Sequence, residues 1–330
     1  MKLAYVTGAT GCLGRNLVKE LLEQNWKVVV LHRKSSDLSR LNGCKVHFQE
    51  VDLCQLNSVR ESIPLNVDAI FHVAGNTSHW AKEANQQWAD NVLATRNLVQ
   101  IALEKKVTRF IFTSTGATIP YQGLDQRLAS IQIKNNYIRT KRLAELEVYA
   151  GIENGLDAVI LKPIIVIGAF DYNTYSQIFT DIKKDRMKIV PPGKIAFCHA
   201  RDVALAHIQA FEKGKCCEHY VLGGEYTTWL DAFQKISTTV GVKPPTKVTP
   251  KFIILALSYM LTIVSFFTKK KPQITPELVS LLGDAPDVTY YEKRKAKKEL
   301  GYQFSTLDQM IADCHLWLSK EKIIENKSSI

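Results

Sequence analysis

No two of the seven cysteines stand in a C-x-x-C pair, no internal repeat or low-complexity tract appears, and no acidic residue stands where the second apolar run ends. The cysteines at 12, 44, 54, 198, 216, 217 and 314 are odd in number and scattered. That excludes a zinc ribbon and a paired disulfide framework, and it points to reduced cytosolic thiols with no metal site. Cys216 and Cys217 read as small apolar residues beside a strand. The opening "MKLAYVTGAT" has no signal-peptide hydrophobic region, because its apolar run is too short and itself reads as a first strand. The expectation is a protein that stays inside the cell. The formal charge of +11 comes partly from "KKK" at 269–271 and "EKRKAKKE" at 292–299, and neither run interleaves aromatics on which bases would stack. Nucleic acid is therefore not the expected partner; an anionic membrane surface or a phosphate-bearing ligand stays open, and the second run reads most simply as a solvated helix face.

Glycine is present where it is informative. "TGATGCLG" at 7–14 puts glycines at 8, 11 and 14 directly after the apolar "LAYV". Leu13, Leu17, Val18, Leu21 and Leu22 then recur at helical spacing. A strand that turns at once into a helix needs a residue tolerant of positive φ and free of a Cβ. Such a junction bares backbone N–H groups at the positive end of a helix dipole and lets a pyrophosphate approach closely. A tight turn without a ligand explains an isolated triplet equally well.

Strand-like runs at 2–6, 27–31, 45–51, 67–73, 109–114 and 158–163 alternate with helical patterns near 12–24, 55–62, 84–105 and 137–153. This alternation predicts an α/β fold with a doubly wound parallel sheet of the Rossmann kind. The rhythm breaks after about 164. Residues 1–164 therefore read as a dinucleotide-binding domain and 165–330 as a smaller, mostly helical substrate lobe, with 200–222 returning to the first domain.

Where a free ribose hydroxyl would want an acid, the chain reads "LHRKSS", so Arg33 suits a ribose 2′-phosphate, or else marks an exposed basic turn. Asp52 and Leu53 follow the third strand, where a carboxylate would lie near an adenine. In "YIRTK", Tyr137 and Lys141 stand at i and i+4, on one helix face. A nearby ammonium lowers a phenol's pKa and makes it a usable acid or base near neutrality.

Taken in order, "TGATGCLG", "DL" at 52–53, "HVAG" at 72–75, "NVLATRN" at 91–97, "FTSTGAT" at 112–118, "YIRTK", "LKPIIVIG" at 161–168 and "HARDVA" at 199–204 resemble the extended short-chain dehydrogenases/reductases over essentially the whole chain. The stretches "HVAGNTSHWAKEANQQWADNVLATRNL" and "YVLGGEYTT" are most similar to the dihydroflavonol 4-reductase / 3β-hydroxysteroid dehydrogenase branch. The resemblance implies Tyr137 as acid/base, Lys141 as its activator and ribose clamp, and Asn91 as a residue whose backbone holds a relay water. It implies Thr115 as the hydroxyl on the reacting oxygen, with Ser114 sharing the task. The implied cofactor site comprises Gly8, Thr10, Gly11, Cys12, Leu13, Gly14, Arg33, Asp52, Leu53, Val73, Ala74, Gly75, Tyr137, Lys141 and Pro163. Lys162 stands where the family more often has arginine, Gly75 where it often has alanine, and Thr115 where it usually has serine.

These residues imply an NADP(H)-dependent carbonyl reductase or alcohol dehydrogenase, with NAD(H) the less favoured cofactor and a small, lipophilic ketone, aldehyde or alcohol as substrate. A nucleotide-sugar epimerase with retained cofactor is the alternative, since Gly116-Ala117 stand where the family's dehydratases carry an Asp-Glu pair. A non-catalytic NADP-binding regulator is the alternative of another class. His79, Trp80 and Trp88 either face the pocket or simply pack. Finally, "FIILALSYMLTIVSFF" at 252–267 lies between Lys251 and Lys269 to Lys271, with Ser258, Thr262 and Ser265 on one stripe. It reads either as a helix packed in the second lobe or as a peripheral membrane contact through 252–271 on the inner face of a membrane. A homodimer stays open.

Overall fold

The computed structural model describes residues 1–172, 174–187, 189–282 and 288–324, the last stretch without the side chains of 288–293. Part of the basic run at 292–299 therefore lies outside the described side chains.

Seven strands form one parallel sheet: β1 (Leu3–Thr7), β2 (Lys27–His32), β3 (His47–Glu50), β4 (Ala69–His72), β5 (Arg109–Thr113), β6 (Ala158–Pro163) and β9 (His219–Leu222). Their order is β3-β2-β1-β4-β5-β6-β9, which reverses direction of growth between β1 and β4. In such sheets ligands bind beyond the carboxyl ends of the strands at this reversal. The central strands are near-continuous apolar runs because helices cover both faces. Tyr5, Ile70, Leu98, Ile101, Phe110, Phe112, Val148 and Ile160 belong to one buried cluster between sheet and helices.

The chain divides into two compact units. The first holds Met1–Ile164, Ala200–Leu222 and Val288–Gln303. The segment 288–303 thus clusters with the Rossmann sheet, whereas its helical pattern alone had placed it in the second lobe; the helix Val288–Leu300 packs on β9. The second unit is mostly helical and also carries a three-stranded sheet, with β8 (Lys194–His199) between β7 (Ile165–Ile167) and β10 (Tyr226–Thr228). These short strands escape a periodicity reading. Phe179, Phe197, Trp229, Phe233, Met310 and Trp317 form its core.

Cys216 and Cys217 lie in the turn just before β9, beside the strand as expected but exposed, with Cys217 in the left-handed region at φ 68°. The helix Lys251–Thr268 packs within its unit by one side only, with Ile254, Ser258 and Ser265 as its buried residues.

Two buried histidines brace the first unit. His72, at the end of β4, lies between Thr7 Oγ1 (2.8 Å from Nδ1) and Thr95 Oγ1 (3.0 Å from Nε2). Thr95 donates to the Asn91 carbonyl and Thr7 accepts from the Ala74 N–H. The network therefore assigns a neutral ring with its proton on Nε2. His207 bonds Thr113 Oγ1 and the Val203 carbonyl in the same neutral manner. Burial, and for His72 also the Lys141 charge, pushes these pKa values down to about 3 and about 4. An unfolded chain takes up both protons below about 6.5 while the folded chain does not, so this stability is present above that pH and is lost as pH falls. Between pH 7 and pH 5 the free energy of urea unfolding should drop by about 2 kcal/mol for each histidine, and His72→Gln or His207→Gln should flatten the decline.

Candidate active site

The glycine turn is tightly constrained. Gly8 has φ +70°, and a Cβ there would lie 2.6 Å from the Ala74 nitrogen; a Cβ on Gly14 would lie 2.1 Å from the Gly8 carbonyl oxygen. The Gly11 N–H closes the turn on the Gly8 carbonyl at 3.0 Å. The helix Cys12–Glu23 starts at Gly11 with no side-chain cap and no acid in its first turn. Capping by an exogenous anion suits such an end, and the loop from Thr10 to Leu13 gives a pyrophosphate close access to backbone. The residues present fit a dinucleotide. Val73, Ala74 and Gly75 follow β4 beside this turn, held by the Ala74 N–H on Thr7 Oγ1 at 3.1 Å. A Cβ on Gly75 would meet Asn91 Oδ1 at 3.5 Å and Lys141 Nζ at 3.7 Å, which are ordinary contacts, so alanine would also fit.

Beyond β5, Thr115 caps the short 3-10 helix Gly116–Tyr121 by accepting from the Ala117 N–H, and its hydroxyl is close enough to Tyr137 to draw the phenol's pKa down. Tyr137 opens the helix Asn136–Glu153, whose N-cap is the Asn135 side chain. Burial raises the tyrosine's pKa, partly offset by the Thr115 hydroxyl. The expected lowering by Lys141 is absent. Lys141 shares the helix face, but its long stem carries Nζ to the Thr113 carbonyl at 2.6 Å, above the Phe112 ring. Burial brings its own pKa down to about 8, against an opposing pull from Glu145.

Asn91 lies in a π-helical turn, Ala89–Leu93, between two α-helical segments. Such turns re-aim side chains and backbone carbonyls at sites. Its amide accepts from the Asn76 N–H (2.7 Å) and donates to the Asn76 carbonyl and Thr140 Oγ1 (both 3.0 Å), so it clamps the loop after β4 to the helix.

Sequence reading missed Glu145. This carboxylate is fully buried and accepts from Ser114 Oγ, Thr118 Oγ1 (2.6 Å), Arg142 Nη1 (3.0 Å) and Lys162 Nζ (3.1 Å). Its pKa is lowered, because the Lys162 and Arg142 charges and the two hydroxyls outweigh burial. Ser114 is thereby committed to Glu145 and does not share the place of Thr115. The signals were the third step of the Tyr-x₃-Lys-x₃-Glu spacing and a lysine, Lys162, inside an apolar strand that had to find an anion.

Around the far end of the turn, Arg33 is exposed after β2, with Nη1 3.8 Å from Asp90 Oδ1. Arg40, also missed, reaches the Thr10 carbonyl at 3.5 Å and Asp37 at 3.3 Å. Asp52 is turned to local work: one oxygen accepts from the Cys54 N–H at 2.9 Å, while the Leu53 carbonyl accepts from Asn97. Pro163 ends β6, in register with Leu222. His79 packs edge-on against Tyr137, with centroids 5.3 Å apart. Trp80 takes Lys82 and Trp88 takes Arg96 as cation–π partners, so these tryptophans pack with surface cations.

A family model described as the NAD dependent epimerase/dehydratase family matches residues 4–223. The chain belongs to that family. Among family relatives, a Synechocystis protein provisionally named dihydroflavonol 4-reductase is 28% identical, over 98% of this chain and 96% of the relative. Sterol demethylase protein B of Methylococcus capsulatus is 28% identical, over 97% and 99%. The crystal structure of gox2253 superposes with a TM-score of 0.80 at 26% identity, covering 98% of this chain and all of that one. The fold and the extended short-chain dehydrogenase/reductase type are those of this enzyme family.

Removing the buried carboxylate strands two buried cations. Glu145→Ala should therefore destabilise the enzyme by about 3–5 kcal/mol in urea unfolding. Thr118→Val should cost only about 1–2 kcal/mol, because the cations keep their partner.

Proposed function

We propose that the chain is an NADPH-dependent reductase of ketones or aldehydes, working also in reverse as an alcohol dehydrogenase. The observation that carries this reading is the Thr115 and Tyr137 hydroxyls set together on the carboxyl side of β5, where the Tyr137 helix also sends the Lys141 ammonium to the Thr113 carbonyl, next to a glycine turn that suits a pyrophosphate. When bound, the nicotinamide supplies hydride. Everything else belongs to this chain. The Thr115 hydroxyl orients the carbonyl oxygen. Tyr137, kept protonated by its surroundings, donates its proton to that oxygen as negative charge develops. Lys141, whose burial brings its pKa down to about 8, would hold a cofactor ribose when one is bound and, by moving its ammonium off the Thr113 carbonyl, would offset the phenolate left behind. Asn91 holds the loop 73–76 so that Gly75 lines the same space.

Arg33 supports NADP(H) over NAD(H): an exposed guanidinium at the end of β2, held only loosely by Asp90, can form charge-assisted bonds to a 2′-phosphate. Arg40 beside Thr10 adds positive charge to the same edge. A lipophilic substrate is in keeping with the sterol in the name of the Methylococcus relative.

Tyr137→Phe should lower turnover of a carbonyl panel by about 10²- to 10⁴-fold while dinucleotide affinity, read by fluorescence titration, stays within a factor of a few. Turnover of nucleotide sugars without added NADPH, or a near-normal rate in the phenylalanine variant, would overturn the reading. Separately, wild type should bind NADPH more tightly than NADH and Arg33→Asp should reverse the order; a wild-type preference for NADH would refute the assignment of Arg33.

A further inference from the structure

The helix Lys251–Thr268 is inside out. Of its residues only Ile254, Ser258 and Ser265 are buried, on the side that packs along the short helix Pro276–Ser280. The buried hydroxyls need no partner beyond their own helix: Ser258 donates to the Leu255 carbonyl, Thr262 to that of Ser258 and Ser265 to that of Thr262. Outward stand Phe252 (72% exposed), Ile253, Leu255, Tyr259, Met260, Ile263, Val264, Phe266 (69%) and Phe267 (77%). At 3.6 residues per turn these cover roughly half the circumference, broken by no charge and by no polar atom except the Tyr259 hydroxyl. Monomers in water do not leave a stripe of this size bare without a partner.

The flanks identify the partner. From Ala232 to Pro276 the chain has seven lysines and no acid. Lys243 and Lys247 stand exposed before the helix, and Lys269, Lys270 and Lys271 after it, where Lys269 ends the helix in the left-handed conformation at φ 56°. Both ends of the apolar stripe are thus cationic. A second copy laid against it would set lysine on lysine whether the two helices ran parallel or antiparallel. A sheet of anionic headgroups over hydrocarbon complements both ends and the middle together. By length and composition the helix also suffices to cross a membrane. Its Ile254–Ser258–Ser265 side, however, is already occupied by protein along its length, which holds it as a one-sided surface.

We propose that this helix is a membrane-docking surface, seated in the plane of an anionic leaflet with Phe252, Ile263, Phe266 and Phe267 in the acyl region and the lysine clusters on the headgroups. The proposal stands apart from the reading of the reaction: it concerns residues outside the Tyr137 site, and its test does not involve turnover.

The test is co-flotation of the purified full chain with phosphatidylcholine vesicles with and without 30 mol% phosphatidylglycerol (about one lipid in three, a composition giving a clear surface potential). Wild type should bind the anionic vesicles and be largely released by high salt. Replacing Lys269, Lys270 and Lys271 by Gln should weaken that binding by about 100-fold. Phe252→Ser with Phe266→Ser and Phe267→Ser should abolish it. All six side chains are solvent-exposed, so an unchanged urea-unfolding midpoint shows that both variants fold. No binding of wild type at low salt, equal binding by the serine variant, or a dimer that the serine variant dissolves while vesicles are ignored would each overturn the proposal. Protein that stays with the vesicles after both high salt and alkaline carbonate would replace docking by insertion, and overturn the in-plane seat.

Discussion

A carboxylate with no access to water, Glu145, is the constraint on which the part of the first unit around Thr115 and Tyr137 rests. Desolvating it, Lys162 and Arg142 together costs several kcal/mol per ion, and only near-complete hydrogen bonding returns that cost. Both oxygens are accordingly occupied, from β6, from the end of β5, from the 3-10 helix beyond it and from the helix that carries the carboxylate. An apolar cluster of the same volume would tolerate small slips of these elements. A charge cluster does not, because any slip leaves an ion without a partner. Ser114 is spent in this lock, which leaves its neighbour Thr115 to face Tyr137.

The nucleotide side of the unit is held differently, by neutral groups. From the Ala74 N–H through Thr7, His72 and Thr95 to the Asn91 carbonyl runs one directed line of hydrogen bonds, and it ties the glycine turn to the π-helical turn. Placing an imidazole there in place of an ion keeps positive charge low around Lys141, whose ammonium already stands unpaired by any carboxylate at contact distance. Charge on one side and neutral polarity on the other divide the floor of the site between them.

Much of this was legible from the chain itself. The strand–helix alternation up to Pro163, the glycines at 8 and 14 and the Tyr137–Lys141 spacing follow from local rules, and each of these segments adopts the conformation its pattern implies. Glu145 was not legible, since a glutamate in a helix otherwise reads as solvated, and its burial depends on Lys162 arriving from a strand seventeen positions later. Nor was the side of Lys141: periodicity puts it on the face of Tyr137, but a flexible four-carbon stem chooses its own acceptor. The 252–267 run showed its apolarity and its serine stripe plainly. Which side would be turned inward was invisible, because self-satisfied hydroxyls make serine an acceptable inward residue.

The seventh strand of the sheet and the helix over it come from 219–222 and 288–300, long after the other six strands are complete at Pro163. During synthesis the first six strands therefore leave the ribosome with β6 as a bare edge until β9 emerges at 219–222, and the helix that packs on β9 follows only at 288–300. A parallel edge left open between Pro163 and the arrival of β9 is a template for pairing with other chains. The nascent enzyme is most exposed to aggregation in that interval, and a chain cut short between β6 and β9 carries the bare β6 edge permanently.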